Sequence, residues 1–201
     1  MNVLKTMEVV RFSRGQYEGY KEEPMVAPDS NTETYVEMEL RIRNFRWEGV
    51  PVYIRSGKAL GMKGTEIGIQ FKRTPKLLYN ASGDLEPNRI IFHVQPATGI
   101  LIDHAVKVPG SDGVIARSSL DFCLSEEFGH TEVEDAYQRL LMDALLGDRT
   151  LFVSAKETER AWEVLEGALD SGSLFSYRRG FLPESRLGID WIEFSEYHGQ
   201  C

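Results

Sequence analysis

Two lysines five positions apart, Lys58 and Lys63, lie in a glycine-rich stretch and have the chemistry of an anion site. Two ammonium groups on one loop can converge on a phosphate, and each donates charge-assisted hydrogen bonds. Residues 41–73 carry eight Lys and Arg side chains against Glu48 and Glu66, although the whole chain has a net charge of −8. The spacing indicates an anion-binding loop or, as the alternative, two solvated surface charges.

The motifs of a self-contained catalytic centre are absent from the sequence. No two of its glycines stand two positions apart, so the dinucleotide fingerprint G-x-G-x-x-G does not occur. A phosphate loop ending at Gly57-Lys58 would need glycine where Val52 stands. Neither H-E-x-x-H nor G-x-S-x-G is present. The histidines lie far apart, without metal-ligand spacing, at His93, His104, His130 and His198.

The composition excludes further classes of function. With 201 residues, 42% of them hydrophobic and 27% charged, the chain is typical of a globular protein. An acidic chain lacks the surplus cations of a sequence-independent nucleic-acid binder, so we expect no nucleic-acid partner. No apolar run is long enough for a membrane helix, and we expect no membrane partner. The N-terminus does not resemble a signal peptide and the cysteines form no CxxC motif, which predicts a cytoplasmic protein.

Alternation of apolar and polar residues predicts the strands that must position the lysines. The period of two recurs in five stretches whose apolar members would bury one face. Because most connections are too short for crossover helices, we expect a sheet that is largely antiparallel. The alternating apolar sets are Val36, Met38, Leu40 and Ile42; Ile67, Ile69 and Phe71; Ile90, Phe92 and Val94; Ile100, Ile102 and Val106; and Leu120, Phe122 and Leu124.

The last third of the sequence changes to helical spacing. Capping boxes at Thr131/Glu134 and Ser154/Glu157 each begin a helix, and Gly147 ends the first of them. Residues 15–34 and the tail from residue 172 are predicted to be loops. The sequence therefore predicts an α+β fold: one large, mostly antiparallel β-sheet with helices packed on one face.

The stretch that leads into Lys58 is predicted to be a short buried strand at residues 50–54. Residues 55–57 would end it, with Gly57 in a backbone conformation closed to other residues. From here the sequence resembles glucose-6-phosphate dehydrogenase in its C-terminal domain. The shared motifs include RNFRWEGVP at 43–51, RSGK at 55–58, TEI at 65–67, VQP at 94–96, KVPG at 107–110, LDF at 120–122, DAY at 135–137 and RLL at 139–141.

The resemblance is strong over residues 1–170 and weaker over the tail 171–201, and residues 1–201 are expected to form a single domain. It implies the oxidation of glucose 6-phosphate by NADP to 6-phosphogluconolactone. It also implies that Lys58, Lys63 and Gln95 bind the substrate. For Gln95 a polar strand residue facing water is the alternative. His93 and His104, on predicted strands, are expected to be structural.

Three departures from the family qualify this reading. Ser56 replaces the usual threonine. A second, structural NADP is not expected here: Arg55 is retained, but the other basic positions are occupied by Gly64, Gly68, His93 and Asp103. The family's N-terminal NADP-binding domain and its catalytic histidine region are not found in these 201 residues, so we expect this chain alone to be inactive. The resemblance implies NADP as the cofactor, bound mainly by that N-terminal domain, and no cofactor-binding residue is named in this chain.

Two functions of different classes follow. The chain is the C-terminal part of a dehydrogenase, completed by an NADP-binding N-terminal half, or it is a non-catalytic assembly module or pseudoenzyme. In either case the resemblance implies subunit contacts through the sheet, and a homodimer is expected. Ile91 and Leu101, opposite the main apolar set, are expected to form the exposed contact patch.

Overall fold

The computed structural model describes residues 2–73, 86–111, 113–129, 136–169 and 173–192. Their contacts group into two compact units, one of Met1–Met62 with Asp135–Trp191 and the other of Lys63–Glu134 with Ile192–Cys201. Each unit carries one four-stranded sheet. That residues 1–201 form a single domain stays a prediction.

The elements follow one another in the order α1 (Asn2–Lys5), β1 (Met7–Tyr17), a 3-10 turn (Tyr20–Glu22), β2 (Tyr35–Ile42), β3 (Pro51–Gly57), β4 (Thr65–Gln70), β5 (Arg89–Gln95), β6 (Gly99–Lys107), β7 (Ile115–Cys123), α2 (Leu124–Phe128), α3 (Ala136–Leu146), α4 (Ala155–Leu169) and β8 (Leu174–Tyr177). No helix of the described ranges has the length and apolar character needed to cross a membrane.

The first sheet has the strand order β3-β2-β1-β8. The β1–β2 and β2–β3 pairs are antiparallel, whereas β8 pairs with β1 in parallel. Met38, Leu40 and Ile42 are buried on one face, as their alternation predicts. Helix α4 packs against β1. The opposite face is covered as well, because Tyr35, Glu37 and Glu39 of β2 are also buried.

The second sheet has the order β4-β5-β6-β7 and is antiparallel throughout. The predicted roles of its two faces are reversed. Ile91 is buried, and Leu101 on the same face is half-buried. The exposed face instead carries five of the alternating apolar residues, namely Ile67, Ile69, Ile102, Leu120 and Phe122. Alternation separates the two faces of a sheet, but it does not say which of them the rest of the chain covers.

The α+β class and the mainly antiparallel pairing are confirmed. The described strands form two sheets of four strands, however, where one large sheet was expected. After β3 the chain does not fold back into a hairpin. The backbone of Lys58 is instead tied to Thr34, so β3 stays the edge of its own sheet.

Three local expectations were wrong. Residues 15–17 belong to β1, and β8 lies in the tail that was predicted to be loop. Leu124 begins α2 and does not continue the preceding strand. The stretch at 50–54 is not buried: β3 begins at Pro51, and Val50, Tyr53 and Ile54 are exposed. For residues 15–17 and for β8, tertiary pairing between β1 and β8 overrides the polar local sequence.

The predicted helix signals are confirmed where they are described. The Ser154 hydroxyl accepts a hydrogen bond from the Glu157 amide at 3.3 Å, and the Glu157 carboxylate accepts one from the Ser154 amide at 3.0 Å. This reciprocal pair caps α4. Helix α3 ends before Gly147, whose φ is 73°. The capping box at Thr131 and Glu134 lies outside the described residues.

Candidate functional site

The loop that carries Lys58, here called the Lys58 loop (residues 58–61), follows β3 and is fixed through its main chain. The Lys58 amide donates to the Thr34 carbonyl at 2.8 Å. The Tyr177 hydroxyl donates to the Lys58 carbonyl at 2.7 Å. One residue on, the Gly180 amide donates to the Ala59 carbonyl at 2.8 Å. Three hydrogen bonds therefore hold the backbone of this loop from two different parts of the chain.

Two glycines let the Lys58 loop pack closely. A Cβ at Gly57 would lie 2.8 Å from the Tyr35 ring, and one at Gly61 would lie 2.6 Å from the Gly180 carbonyl oxygen. The expectation that Gly57 adopts a conformation closed to other residues was wrong, because its φ is not positive. Glycine is required at position 57 because a Cβ would clash with the Tyr35 ring. The left-handed conformation belongs to Ala59, whose φ is 51°.

The ammonium group of Lys58 is available to an anion. The residue is exposed, and its side chain forms no ion pair with any residue in the described ranges. A lysine whose backbone is fixed at both its N–H and its C=O loses little further main-chain entropy on binding. The arrangement suits recognition of a phosphate by a point charge.

Lys63 and Gln95 lie in the other unit, at the same end of the second sheet. Lys63 is exposed two residues before β4, and Gln95 is exposed at the end of β5, where it pairs with Thr65. These two side chains thus belong to the same end of the sheet. That Lys58 converges with them on one ligand stays a prediction.

A buried carboxylate on the first sheet was not singled out by sequence reasoning. Glu37 is fully buried and accepts hydrogen bonds from the Ser185 hydroxyl, the Arg186 amide at 2.9 Å and the Trp191 indole at 3.1 Å. Ser185 also accepts a hydrogen bond from the Ile189 amide at 2.9 Å. Residues 185–191, here called the tail segment, are therefore bound to β2 through one side chain.

The tail segment also covers the neighbouring strand. Arg55, which pairs with Glu37 across β2 and β3, lies 4.6 Å from the centre of the Trp191 ring. The Tyr53 ring meets the same indole edge-on at 6.2 Å between centroids. A guanidinium over an indole face is an attractive cation–π pair. The retained Arg55 is thus engaged by the protein's own tail.

Four aromatic rings underlie the Lys58 loop, here called the aromatic cluster: Tyr17, Tyr35, Phe175 and Tyr177. Burial, followed by the charge of Glu37, raises the pKa of Tyr35 to about 12. Burial also raises the pKa of Tyr17 and Tyr177. The Tyr35 hydroxyl has no hydrogen-bond partner among the described residues.

Replacing Tyr35 by phenylalanine should make the chain less sensitive to alkali. The folded state holds the Tyr35 proton more tightly than the unfolded chain does. The contribution of the protonated Tyr35 to the free energy of unfolding is therefore complete below pH 10 and falls as the pH rises towards 12. We expect Tyr35→Phe to keep the wild-type free energy of unfolding at pH 8, or exceed it, and to lose less of it at pH 11. Urea unfolding at both pH values measures this, with the exposed Tyr53→Phe as control. Equal losses in wild type and Tyr35→Phe would contradict it.

The described histidines lie on strands, as expected. His93 is buried on β5, and its Nδ1 lies 2.8 Å from a carboxylate oxygen of Glu66 on β4. His104 lies on β6, with its Nδ1 3.5 Å from the Ile102 carbonyl oxygen. His130 and His198 are outside the described residues. No group of three His, Cys, Asp or Glu side chains in the described part of the chain could hold a metal ion.

The residues that sequence reasoning missed act across long separations. Thr34 and Tyr177 fix Lys58, although Tyr177 follows it by 119 positions. Glu37 looks like a solvent-facing residue of an alternating strand. No local pattern marks these positions, because their partners come from β8 and the tail segment.

Comparison with known proteins agrees with the motifs of the sequence. The family described as "Glucose-6-phosphate dehydrogenase, C-terminal domain" matches residues 1–181. A glucose-6-phosphate 1-dehydrogenase of Chlamydia trachomatis is 40% identical over 159 residues, which is 77% of this chain and 36% of that protein. A cytoplasmic enzyme of Arabidopsis thaliana, named glucose-6-phosphate 1-dehydrogenase 5, is 36% identical over 88% of this chain and 34% of its own length.

Solved structures give the same result. A glucose-6-phosphate 1-dehydrogenase from Mycobacterium avium superposes with a TM-score of 0.74 at 34% identity, covering 89% of this chain and 38% of that one. A glucose-6-phosphate dehydrogenase in complex with its substrate glucose-6-phosphate gives 0.81 at 29% identity, covering 92% and 41%. The chain spans about a third of the length of these curated relatives. Over that span its motifs, strands and helices are those of one family, and the chain belongs to the C-terminal domains of glucose-6-phosphate dehydrogenase.

Proposed function

We propose that this chain is the substrate-binding and oligomerisation part of a glucose-6-phosphate dehydrogenase. One observation carries the proposal: the Lys58 backbone is fixed at both its N–H and its C=O, while its ammonium group is exposed without an ion pair in the described ranges. Such a lysine is suited to the phosphate dianion of glucose 6-phosphate. A loop with only a structural role would not require an exposed lysine on a fixed backbone.

The proposed role of the first unit rests on one side chain. Lys58 binds the phosphate end of the sugar, while substrate binding by Lys63 and Gln95 stays a prediction from the family resemblance. NADP and the histidine base belong to an N-terminal part that the relatives' greater length accommodates. Holding the sugar so that C1 faces the nicotinamide accelerates the reaction, although no bond is broken by these residues. By analogy with the cytoplasmic relative, the assembled enzyme works in the cytoplasm.

The 201-residue chain by itself should not reduce NADP. Neither a dinucleotide fingerprint nor the family's histidine region occurs in the sequence. We expect absorbance at the NADPH wavelength to stay at background with glucose 6-phosphate and NADP. Addition of an N-terminal half from a relative should restore turnover if the chain is part of an enzyme. Turnover by the pure chain would contradict the prediction.

Self-association through the second sheet is the other half of the proposal. Ile67, Ile69, Ile102, Leu120 and Phe122 leave a continuous apolar face exposed, and such a face favours a contact between copies. A non-catalytic assembly module would use the same face, so this face does not favour that alternative over the enzyme part. Co-purification distinguishes the two functions. An NADP-binding protein of complementary length should co-purify with the chain if the chain is part of a dehydrogenase.

We expect a dimer at tens of micromolar in sedimentation, converted to monomer by Leu120→Glu. Leu120 is the most exposed of these five side chains, and a glutamate in its place would have to be buried unpaired in the interface. Val114→Glu is the matched control, because Val114 is similarly exposed but lies outside β7. A wild-type chain that sediments only as a monomer would sink this prediction, as would a dimer that Leu120→Glu leaves intact.

A further inference from the structure

We propose that Tyr177 and Thr34 are positioning residues for substrate binding, acting through a chain of hydroxyl groups that sets the backbone of Lys58. The proposal rests on the function proposed above, in which Lys58 binds the phosphate of glucose 6-phosphate. It adds two residues that do not touch the ligand themselves.

The hydrogen bonds form one directed series. The Tyr17 amide donates to the Thr34 hydroxyl at 3.0 Å, and the hydroxyl oxygens of Thr34 and Tyr177 are 2.9 Å apart. Because Thr34 already accepts from an amide, its proton is free to go to Tyr177. The single proton of Tyr177 then goes to the Lys58 carbonyl, which is nearer, at 2.7 Å, than the Thr34 carbonyl at 3.1 Å. The series ends on the residue that carries the ammonium group.

The series is rigid at every step. Thr34 and Tyr177 are both buried. The Tyr177 ring is held between Tyr35 at 5.7 Å and Phe175 at 6.3 Å, measured between centroids. Burial raises the pKa of Tyr177, so its hydroxyl stays a donor throughout the neutral range. A fixed donor can hold a carbonyl in one orientation.

The backbone of the Lys58 loop requires stabilisation by such a hydrogen bond. Ala59, the next residue, has a φ of 51°, a left-handed conformation that is unfavourable for a residue with a Cβ. The Tyr177 hydroxyl on the Lys58 carbonyl and the Gly180 amide on the Ala59 carbonyl maintain it. When the first of these is removed, the loop relaxes and the ammonium group samples positions away from the phosphate. Tyr177 is the last residue of β8 and Gly180 follows it closely, so one part of the chain supplies both contacts.

The test uses the full chain and three hydroxyl deletions. Tyr177→Phe and Thr34→Val each break the series while keeping the shape of the side chain. Tyr17→Phe is the matched control: it removes a hydroxyl from the same aromatic cluster, but that hydroxyl lies 3.3 Å from Glu23, and the Tyr17 amide still reaches Thr34. Thr34→Ser, which retains the hydroxyl, should behave as wild type.

Two measurements are made on each variant. Amide hydrogen exchange at Lys58 and Gly180 reports the order of the loop, with amides of β6 as the internal reference. Carbon-13 labelling of lysine side chains reports the affinity of Lys58 for added glucose 6-phosphate. In Tyr177→Phe and Thr34→Val we expect faster exchange at Lys58 only, and a dissociation constant raised about 2- to 12-fold, the value of one neutral hydrogen bond.

The outcomes separate the two proposals. If glucose 6-phosphate does not shift the Lys58 signal of the wild-type chain, the proposed function is wrong. If wild type binds and Tyr177→Phe binds equally well, Lys58 keeps its role and the positioning role is overturned, even if exchange at Lys58 is faster. A loss of affinity in Tyr17→Phe equal to that in Tyr177→Phe would overturn it too. Should Tyr177→Phe fail to fold, Thr34→Val compared with Thr34→Ser decides the matter.

Discussion

Replacing Lys58 by alanine should reduce kcat/KM for glucose 6-phosphate by about 10- to 150-fold in a dehydrogenase that contains this chain. A hydrogen bond to a charged group contributes roughly 1.5–3 kcal/mol, and each 1.4 kcal/mol is a factor of ten. The phosphate is a dianion, and Lys58 presents an exposed ammonium group on a backbone held by Thr34 and Tyr177. We expect the KM for NADP to stay unchanged, because the cofactor is assigned to the other part of the enzyme.

Lys63→Ala should have a smaller effect. Lys63 precedes β4, and its backbone forms no turn or loop hydrogen bond with the described residues, so its side chain is less restricted than that of Lys58. Steady-state kinetics with each substrate varied in turn measures both variants. Lys156→Ala, which removes another exposed lysine, on α4, is the control for a general change in charge. A Lys58/Lys63 double variant with wild-type kcat/KM would show that both lysines are solvated surface charges.

Replacing Glu37 by alanine should lower the free energy of unfolding by roughly 3–5 kcal/mol and release the tail segment. The carboxylate is fully buried and receives three donors, and each buried donor left without a partner costs about 1–3 kcal/mol, less than additively when the segment can rearrange. The change also leaves Arg55 without the opposite charge of Glu37 across the strand pair. Removing the Glu37 carboxylate therefore destabilises β2, β3 and the tail segment together.

Urea unfolding gives the free energy, and hydrogen exchange at the Arg186 and Ile189 amides reports the tail segment. Both amides are hydrogen-bonded at 2.9 Å, one to Glu37 itself and one to Ser185. Glu37→Gln should fall between wild type and Glu37→Ala, since an amide accepts through one oxygen only. Glu48→Ala, at an exposed position, should change little. A loss below 1 kcal/mol in Glu37→Ala with Arg186 still protected would refute the assigned role.

Local patterns predicted those parts of the fold that local forces determine. The apolar set Met38, Leu40 and Ile42 faces the core, and Ser154 with Glu157 begins α4. Both results follow from residues within a few positions of one another. The family was likewise identified from ordered short motifs, and the match over residues 1–181 confirms it.

Features that depend on distant partners were missed or reversed. Glu37 alternates with apolar residues as an exposed residue would, yet the tail segment covers it. In the second sheet both faces carry apolar side chains, so Ile91 was assigned to the exposed face when it is buried. The candidate site residues Lys58, Lys63 and Gln95 were named from the resemblance, and their role stays a prediction. The residues that fix the Lys58 backbone could not be predicted from the sequence, because Thr34 and Tyr177 are 143 positions apart.

The parallel pairing of β8 with β1 has a consequence for the order of events during synthesis and folding. Tyr177 leaves the ribosome 119 residues after Lys58, so the Lys58 loop stays without its last anchors until this intervening chain has been synthesised. Joining β8 to β1 closes a very long loop, and pairings between segments so distant in sequence form slowly. The antiparallel β1–β2–β3 meander can form early from neighbouring segments. The Lys58 loop is thereby the last part of this unit to reach its final structure.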